Sequence, residues 1–348
     1  MIRLPRNAQI WLPGVLRQMA RPAAEPVRHV WLLITDHYEP YWRQAAAPVA
    51  HARVAKWSAQ WPAIAARHRD SFGCPPRYTF FYPEEEYDPE LLDALARFRA
   101  EGIGDVEVHL HHDGEGEADF RRRIGGFVAQ LRQRHGLLRD RDGRPAFCFI
   151  HGNWALDNSH PEGRFCGLDN ELDLLQELGC VADFTLPAAP SPCQTRIVNA
   201  IYRATDDPAR PKSHDAGIPV VRGGGNGTGL LMVQGPLTVR RHQHRRWLPG
   251  VECGELTRVD PPTPHRVDRW LAAAPRIGAH QFIKLHTHGA QEDTAAALLD
   301  GGLDALFTHL QAACAARGVT LGYLSAWEAV EAIEALALAR DPQEVLGR

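Results

Sequence analysis

Asp105-Val106-Glu107-Val108-His109-Leu110-His111-His112, residues 105–112, is a short apolar run that breaks into three histidines within four positions. On a β-strand, residues two apart point to the same side, so His109 and His111 can face one ion together while His112 points away. Catalytic zinc sites commonly use three protein ligands and leave a fourth position open for water. A third ligand must then come from another strand, and Asp36-His37 at the end of an earlier apolar run supplies either a carboxylate or an imidazole.

Outward from this stretch, similar runs recur at 29–35, 77–82, 145–150, 180–186, 218–222, 229–235, 281–285 and 318–324. They are short, apolar on both faces and rich in Val, Ile and aromatics, as strands of a mostly parallel sheet covered on both sides are. Between them lie helical stretches at 51–70, 89–100, 117–135, 169–178, 291–316 and 325–340, and such alternation predicts βα units and an α/β fold. A chain of 348 residues fits one α/β domain with insertions. The Pro-rich stretch 187–217 and residues 236–265 read as long loops, residues 29–340 as the domain and 1–28 as an N-terminal arm. Gly223-Gly224-Gly225-Asn226-Gly227 lacks a following Lys-Ser/Thr and runs into a strand, so it is not read as a phosphate loop.

Five of the runs end in chemically capable residues. These are 35–39 (TDHYE), 84–86 (EEE), 109–113 (HLHHD), 151–154 (HGNW) and 284–288 (KLHTH). Active sites of α/β barrels are assembled at the C-terminal ends of several strands, so the five ends point to one shared site. Within Asp36-His37, one residue binds metal and the other serves as base beside a metal-activated water. His286 is the candidate proton donor and His288 a second such group or a ligand-binding residue. His151, Asn153 and Trp154 would line a polar pocket with one aromatic wall. The consecutive Glu84, Glu85 and Glu86 read as a solvated loop. No Gly-x-Ser-x-Gly elbow occurs, which argues against a serine nucleophile.

A net charge of −3 without a basic cluster gives no nucleic-acid footprint. Seven cysteines, an odd number with no C-x-x-C pair, read as buried free thiols in a reducing compartment. No signal sequence or membrane-spanning run is read, so the expected location is cytoplasmic. Arginines and apolar residues alternate through 3–21, which reads either as an arm packed on the domain or as a peripheral membrane contact.

The order of these motifs resembles the polysaccharide deacetylase superfamily of carbohydrate esterases. Leu33-Ile34-Thr35-Asp36-His37 is similar to the family's first motif, with Asp36 at the base position and His37 at a metal-ligand position. Asp105 to His111 resembles the His-x-His form of the second motif, and Phe147 to Asp157 the third region, without the Arg that relatives often carry there. Asp183 falls at a later acidic position, and Ile283-Lys284-Leu285-His286 matches the last motif. The resemblance spans about residues 29–335 and implies a divergent member. It implies a (β/α)7-type partial barrel with long loop insertions and a divalent metal, zinc first among candidates, on His37, His109 and His111. Asp36 and His286 would be catalytic, and a carbohydrate would be the substrate. The expected activity is metal-dependent hydrolysis of an N-acyl, above all N-acetyl, group on an amino sugar. The alternatives are a glycoside hydrolase using two carboxylates, such as Asp36 with Asp183 or Glu86, and an inactive sugar-binding relative.

Overall fold

A computed structural model describes residues 4–20, 25–241 and 249–348. Arg3 and Arg21 of the arm, and residues 242–248 of the second insertion, lie outside the described residues. The chain is a mixed α/β protein built on a large, mostly parallel central sheet. Its principal strands are β1 (His29–His37), β2 (Tyr78–Pro83), β3 (Gly104–Leu110), β4 (Arg144–His151), β5 (Cys180–Asp183), β6 (Leu230–Val233), β7 (His280–Thr287) and β8 (Thr320–Leu324). They run parallel in the order β7-β1-β2-β3-β4-β5-β6. β8 lies beside the first half of β1, and β2 beside its second half. Helices cross between them, as the alternation predicts: Ala47–Arg67 links β1 to β2, Pro89–Ala100 links β2 to β3, and Glu117–Gln133 leads toward β4.

Alternation along each strand separates two apolar cores. Val106, Val108 and Leu110 of β3 join Trp57, Trp61, Tyr78, Phe80 and Phe127 beneath the crossing helices. On the opposite face Trp31, Leu33, Phe81, Cys148, Ile150 and Phe282 pack with Trp327, Val330 and Ile333 of the helix Ala326–Ala337. Asp105, Glu107 and His109 share this second face by strand periodicity, and Glu107 accepts the Cys148 N–H at 2.6 Å. His37, two residues beyond Thr35 and four beyond Leu33, continues the same face past the end of its apolar packing. The site therefore begins where this core stops.

Helix boundaries follow the local chemistry. Asp88 accepts the N–H groups of Glu90 and Leu91 and Pro89 occupies the first turn, which starts the helix Pro89–Ala100 as expected. Ser325 and Glu328 form a capping box on Ala326–Ala337. The stretch expected as one helix over 291–316 is instead divided into Glu292–Ala297 and Leu303–Ala316 by a wide turn, where Gly301 has φ 117°. The strand expected at 218–222 shrinks to Ile218–Pro219, an exposed edge paired antiparallel with Ile201–Ala204. That second strand lies inside the region read as loop. So do the antiparallel pair Thr238–Arg241/Pro249–Glu252 and the start of the helix Pro264–Ala273. Pro and Gly mark turns, and at this density they hide the short elements between them.

The arm forms a helix, Ala8–Met19, whose Trp11 and Val15 pack on Ala189 and Leu237 of the insertions, while Leu16 and Met19 stay exposed. Among the described residues no helix is long and apolar enough to cross a membrane.

Candidate metal centre

Three strand ends each contribute a pair of residues two positions apart: His37 and Glu39 after β1, His109 and His111 at β3, and His286 and His288 at β7. β7, β1 and β3 are near neighbours in the sheet, so the pairs converge. Glu39 Oε1 lies 3.5 Å from His109 Nε2 and 3.5 Å from His111 Nε2. The ring of His37 is 5.0 Å from that of His109 and stacks on His288 at 4.9 Å. Glu39 thus belongs to two overlapping groups that can hold a metal ion, one with His109 and His111 and one with His37 and His288.

The outer nitrogens decide which group is prepared for a metal. His109 Nδ1 donates to the Ile150 carbonyl at 2.8 Å, which fixes the tautomer and leaves Nε2 as a buried lone pair with no hydrogen-bond partner. His111 Nδ1 donates to Glu85 Oε1 at 2.5 Å and likewise turns Nε2 inward. Carbonyl and carboxylate partners on the far nitrogen are what orient ligating histidines. Two ligands about 2.05 Å from a tetrahedral ion are about 3.3 Å apart, so a separation of 3.5 Å needs almost no adjustment. Two imidazoles and one carboxylate are also a common donor set of catalytic zinc.

The electrostatics separate the remaining groups. Burial, then the neighbouring His288, His109 and His286, holds the pKa of His37 well below 6.5, so this imidazole is neutral at neutral pH. Burial also lowers His288, against the opposing pull of Glu39, and lowers His286 well below its usual value. Glu39 moves the other way: burial would raise it, but His109, His288 and His111 outweigh burial and keep it a carboxylate. Burial lowers His111 as well, and there the carboxylates of Glu85, Glu39 and Glu86 win and raise it.

The expected site residues divide into those that meet and those that do not. His37, His109, His111 and His288 share one cluster. Trp154 is half-buried beside it, 5.9 Å from His37 and 6.1 Å from His288. Asn153 is exposed at its rim. His286 sits on the flank, 6.5 Å from His37 and grouped with Cys253 and Glu255. Asp36 is not brought to the cluster. Adjacent strand residues face opposite sides, and the Asp36 oxygens accept the Tyr78 hydroxyl at 2.7 Å and the Gly289 N–H at 2.7 Å. Burial raises its pKa to about 7. His151 points to the helix side of β4 and joins His112 instead.

Several participants escape a reading of the sequence. Glu84, Glu85 and Glu86 form an ordered turn in which Glu84 pairs with Arg123, Glu85 holds His111 and Glu86 accepts the Tyr41 N–H. Gly152 is needed because a Cβ there would run into the His111 ring. Gly289 is needed because a Cβ would strike Asp36 and Trp57. Close approach of backbone to a ring leaves no trace in periodicity. The HGNW motif was the one available signal, since Gly after a strand end permits such an approach. Asn153, Trp154, Asp157 and Asn158 all have positive φ, so the loop after β4 carries strained backbone of order 1 kcal/mol per residue at the rim of the site. In comparisons with known proteins, the chain matches no family model and no curated protein.

Proposed function

We propose that the chain is a metal-dependent hydrolase that removes an N-acyl group, above all N-acetyl, from an amino sugar or a glycan containing one. We read its sheet as the partial (β/α)7 barrel of a divergent polysaccharide deacetylase. The observation that carries the metal reading is the matched preparation of His109 and His111, each anchored through Nδ1 and each presenting Nε2 to Glu39. The sugar reading rests on the motif order and on Trp154, an aromatic wall beside the histidines.

His109, His111 and Glu39 would hold the ion, with zinc favoured by the donor set. When bound, it supplies Lewis-acid polarisation of the acyl carbonyl and a water acidic enough to lose its proton near neutral pH. His37 is neutral, buried and next to His109, so it would serve as the base that takes a proton from the attacking water. This role passes to it from Asp36, whose oxygens are engaged by Tyr78 and Gly289 on the other side of β1. The proton that His37 takes up would leave to solvent, and His288, which solvent reaches, would take one up in turn and give it to the departing amine. His288 is preferred to His286 because it stacks on His37 and is partly open to solvent, whereas His286 is buried near Cys253 and Glu255. Trp154 stacks on the apolar face of the sugar ring, and Asn153 offers an amide at the entrance.

The test is a screen of N-acetylated sugars for released acetate and for new reducing ends, before and after chelation and after zinc is restored. The expected result is acetate release that disappears on chelation and returns with zinc. In the same assay His288→Ala should lower kcat by about 10²-fold or more and His286→Ala by less. Reducing ends without acetate, or acetate release indifferent to chelation, would overturn the reading.

A further inference from the structure

His112 leaves the first cluster because successive residues point to opposite sides of the chain. It enters a pocket between the end of β3, the end of β4 and the loop 155–171, where it meets His151, Glu171 and Cys166. His151, Glu171 and Cys166 are wholly buried and His112 is 4% exposed. His112 Nε2 is 2.9 Å from His151 Nε2 and 3.1 Å from Glu171 Oε1, and His151 Nε2 is 3.6 Å from the same oxygen. Cys166 Sγ completes a set whose ligand atoms all lie within 4.8 Å of one another.

The proton inventory of this pocket does not close on protein groups alone. His151 Nδ1 donates to the Gly152 carbonyl, so His151 Nε2 carries a lone pair. That lone pair and the Glu171 carboxylate both face His112 Nε2, which has at most one proton to offer. If the proton is there, His112 Nδ1 is left as a buried lone pair with no hydrogen-bond partner. If it sits on Nδ1 it faces Glu115 Oε2 at 4.0 Å, and two imidazole lone pairs and a carboxylate oxygen then converge with nothing between them. A cation resolves the conflict. Cys166 faces the same carboxylate: its thiol donates to Glu171 Oε2 at 3.3 Å, burial and Glu171 keep it protonated, and the N–H groups of Asn158 and Leu168 at 3.2 and 3.5 Å from the sulfur would support the thiolate once an ion displaces that proton. Two neutral imidazoles, one carboxylate and one thiolate leave the pocket neutral around a divalent ion.

We propose that His112, His151, Glu171 and Cys166 form a second metal site, a closed structural one that takes zinc. Four protein ligands and complete burial leave no open position for water, which distinguishes it from the first cluster. Cys166 gives up its thiol proton to solvent as the metal–sulfur bond forms. The consequence is positional. The ion ties the loop after β4 to the end of β3, and that loop carries Gly152 against His111 and Trp154 against His37. Gly114 N–H bonds the Cys166 carbonyl at 2.7 Å and Phe165 N–H bonds Asp113 at 2.7 Å, so the chain segments around the pocket are already joined. The inference does not depend on a metal at the first cluster.

The experiment is zinc stoichiometry on the full chain together with the absorption spectrum after cobalt(II) replacement. Wild type should retain about two equivalents after desalting, the double variant His109→Ala/His111→Ala about one, and Cys166→Ser about one. Cobalt-loaded wild type should show a thiolate-to-cobalt charge-transfer band. The band should persist in His109→Ala/His111→Ala and in Cys253→Ser and vanish in Cys166→Ser. A single equivalent that survives His109→Ala/His111→Ala with its thiolate band would support this site and sink the reading of the first. Cobalt-loaded wild type without a thiolate band, or a band that follows Cys253, would overturn the proposal. Should Cys166→Ser fail to fold, the wild-type and Cys253→Ser spectra still decide.

Discussion

Asp36 and His37 are neighbours in sequence with opposite fates. The strand turns His37 toward His109 and His288 and turns Asp36 toward Tyr78, Trp57 and Gly289. Asp36→Asn should therefore keep its metal content and hold kcat within about tenfold, while His37→Ala loses about 10²-fold or more; the converse ranking would return the base role to Asp36. Glu85 would act on a bound metal only through His111, so it is a positioning residue. Glu85→Gln should weaken zinc affinity about 10- to 100-fold in a competition titration, with the fold intact by circular dichroism. Strand periodicity was enough to pair His109 with His111 and to send His112 elsewhere. It does not reach Glu85, because three consecutive glutamates look solvated until the turn that orders them is seen. Nor does it reach Cys166, whose partners are brought to it by a loop.

Element β3 carries more than its histidines. Asp105 and Glu107 lie on the same face below His109, wholly or almost wholly buried, with Arg139 bonding Asp105 at 2.7 Å. Burial, then the Asp105 charge, raises the Glu107 pKa well above 4.5, against the Cys148 N–H that favours its charged form. The folded state therefore holds a proton that the unfolded state releases above pH 4.5. Stability from this group is present below 4.5 and is lost as pH rises toward the folded-state pKa, by about 1.4 kcal/mol for each unit of difference. Glu107→Gln mimics the protonated acid, so urea melts should find its stability flatter with pH and its advantage over wild type growing toward alkaline pH. An unchanged pH slope would contradict the assignment. The principal strands were legible because each is a buried apolar run. Ile201–Ala204, Thr238–Arg241 and Pro264–Ala273 were not, since short or polar elements among prolines and glycines carry no period long enough to read.

In the whole molecule one sheet end serves two clusters. His111 and His112, adjacent in the chain, contribute one imidazole to each, and Gly152 touches both His111 and His151. The insertions are fixed from outside by the N-terminal helix, where Trp11 and Val15 pack on Ala189 and Leu237. Trp11→Ala should cost about 3 kcal/mol and open residues 187–217 to limited proteolysis while the metal content stays unchanged. A variant as resistant as wild type would show that the arm does not hold the insertions. The α/β class and the convergence of several strand ends were readable in sequence. The division into two clusters was not, because it depends on which side of β4 carries His151. The central claim is that His109, His111 and Glu39 bind a divalent ion. It is tested most directly by an anomalous difference map at the zinc edge from crystals of the zinc-loaded protein. The account predicts a peak about 2.0–2.1 Å from the Nε2 atoms of His109 and His111, with Glu39 as the third protein ligand. A fully loaded crystal with no peak between these residues would contradict it.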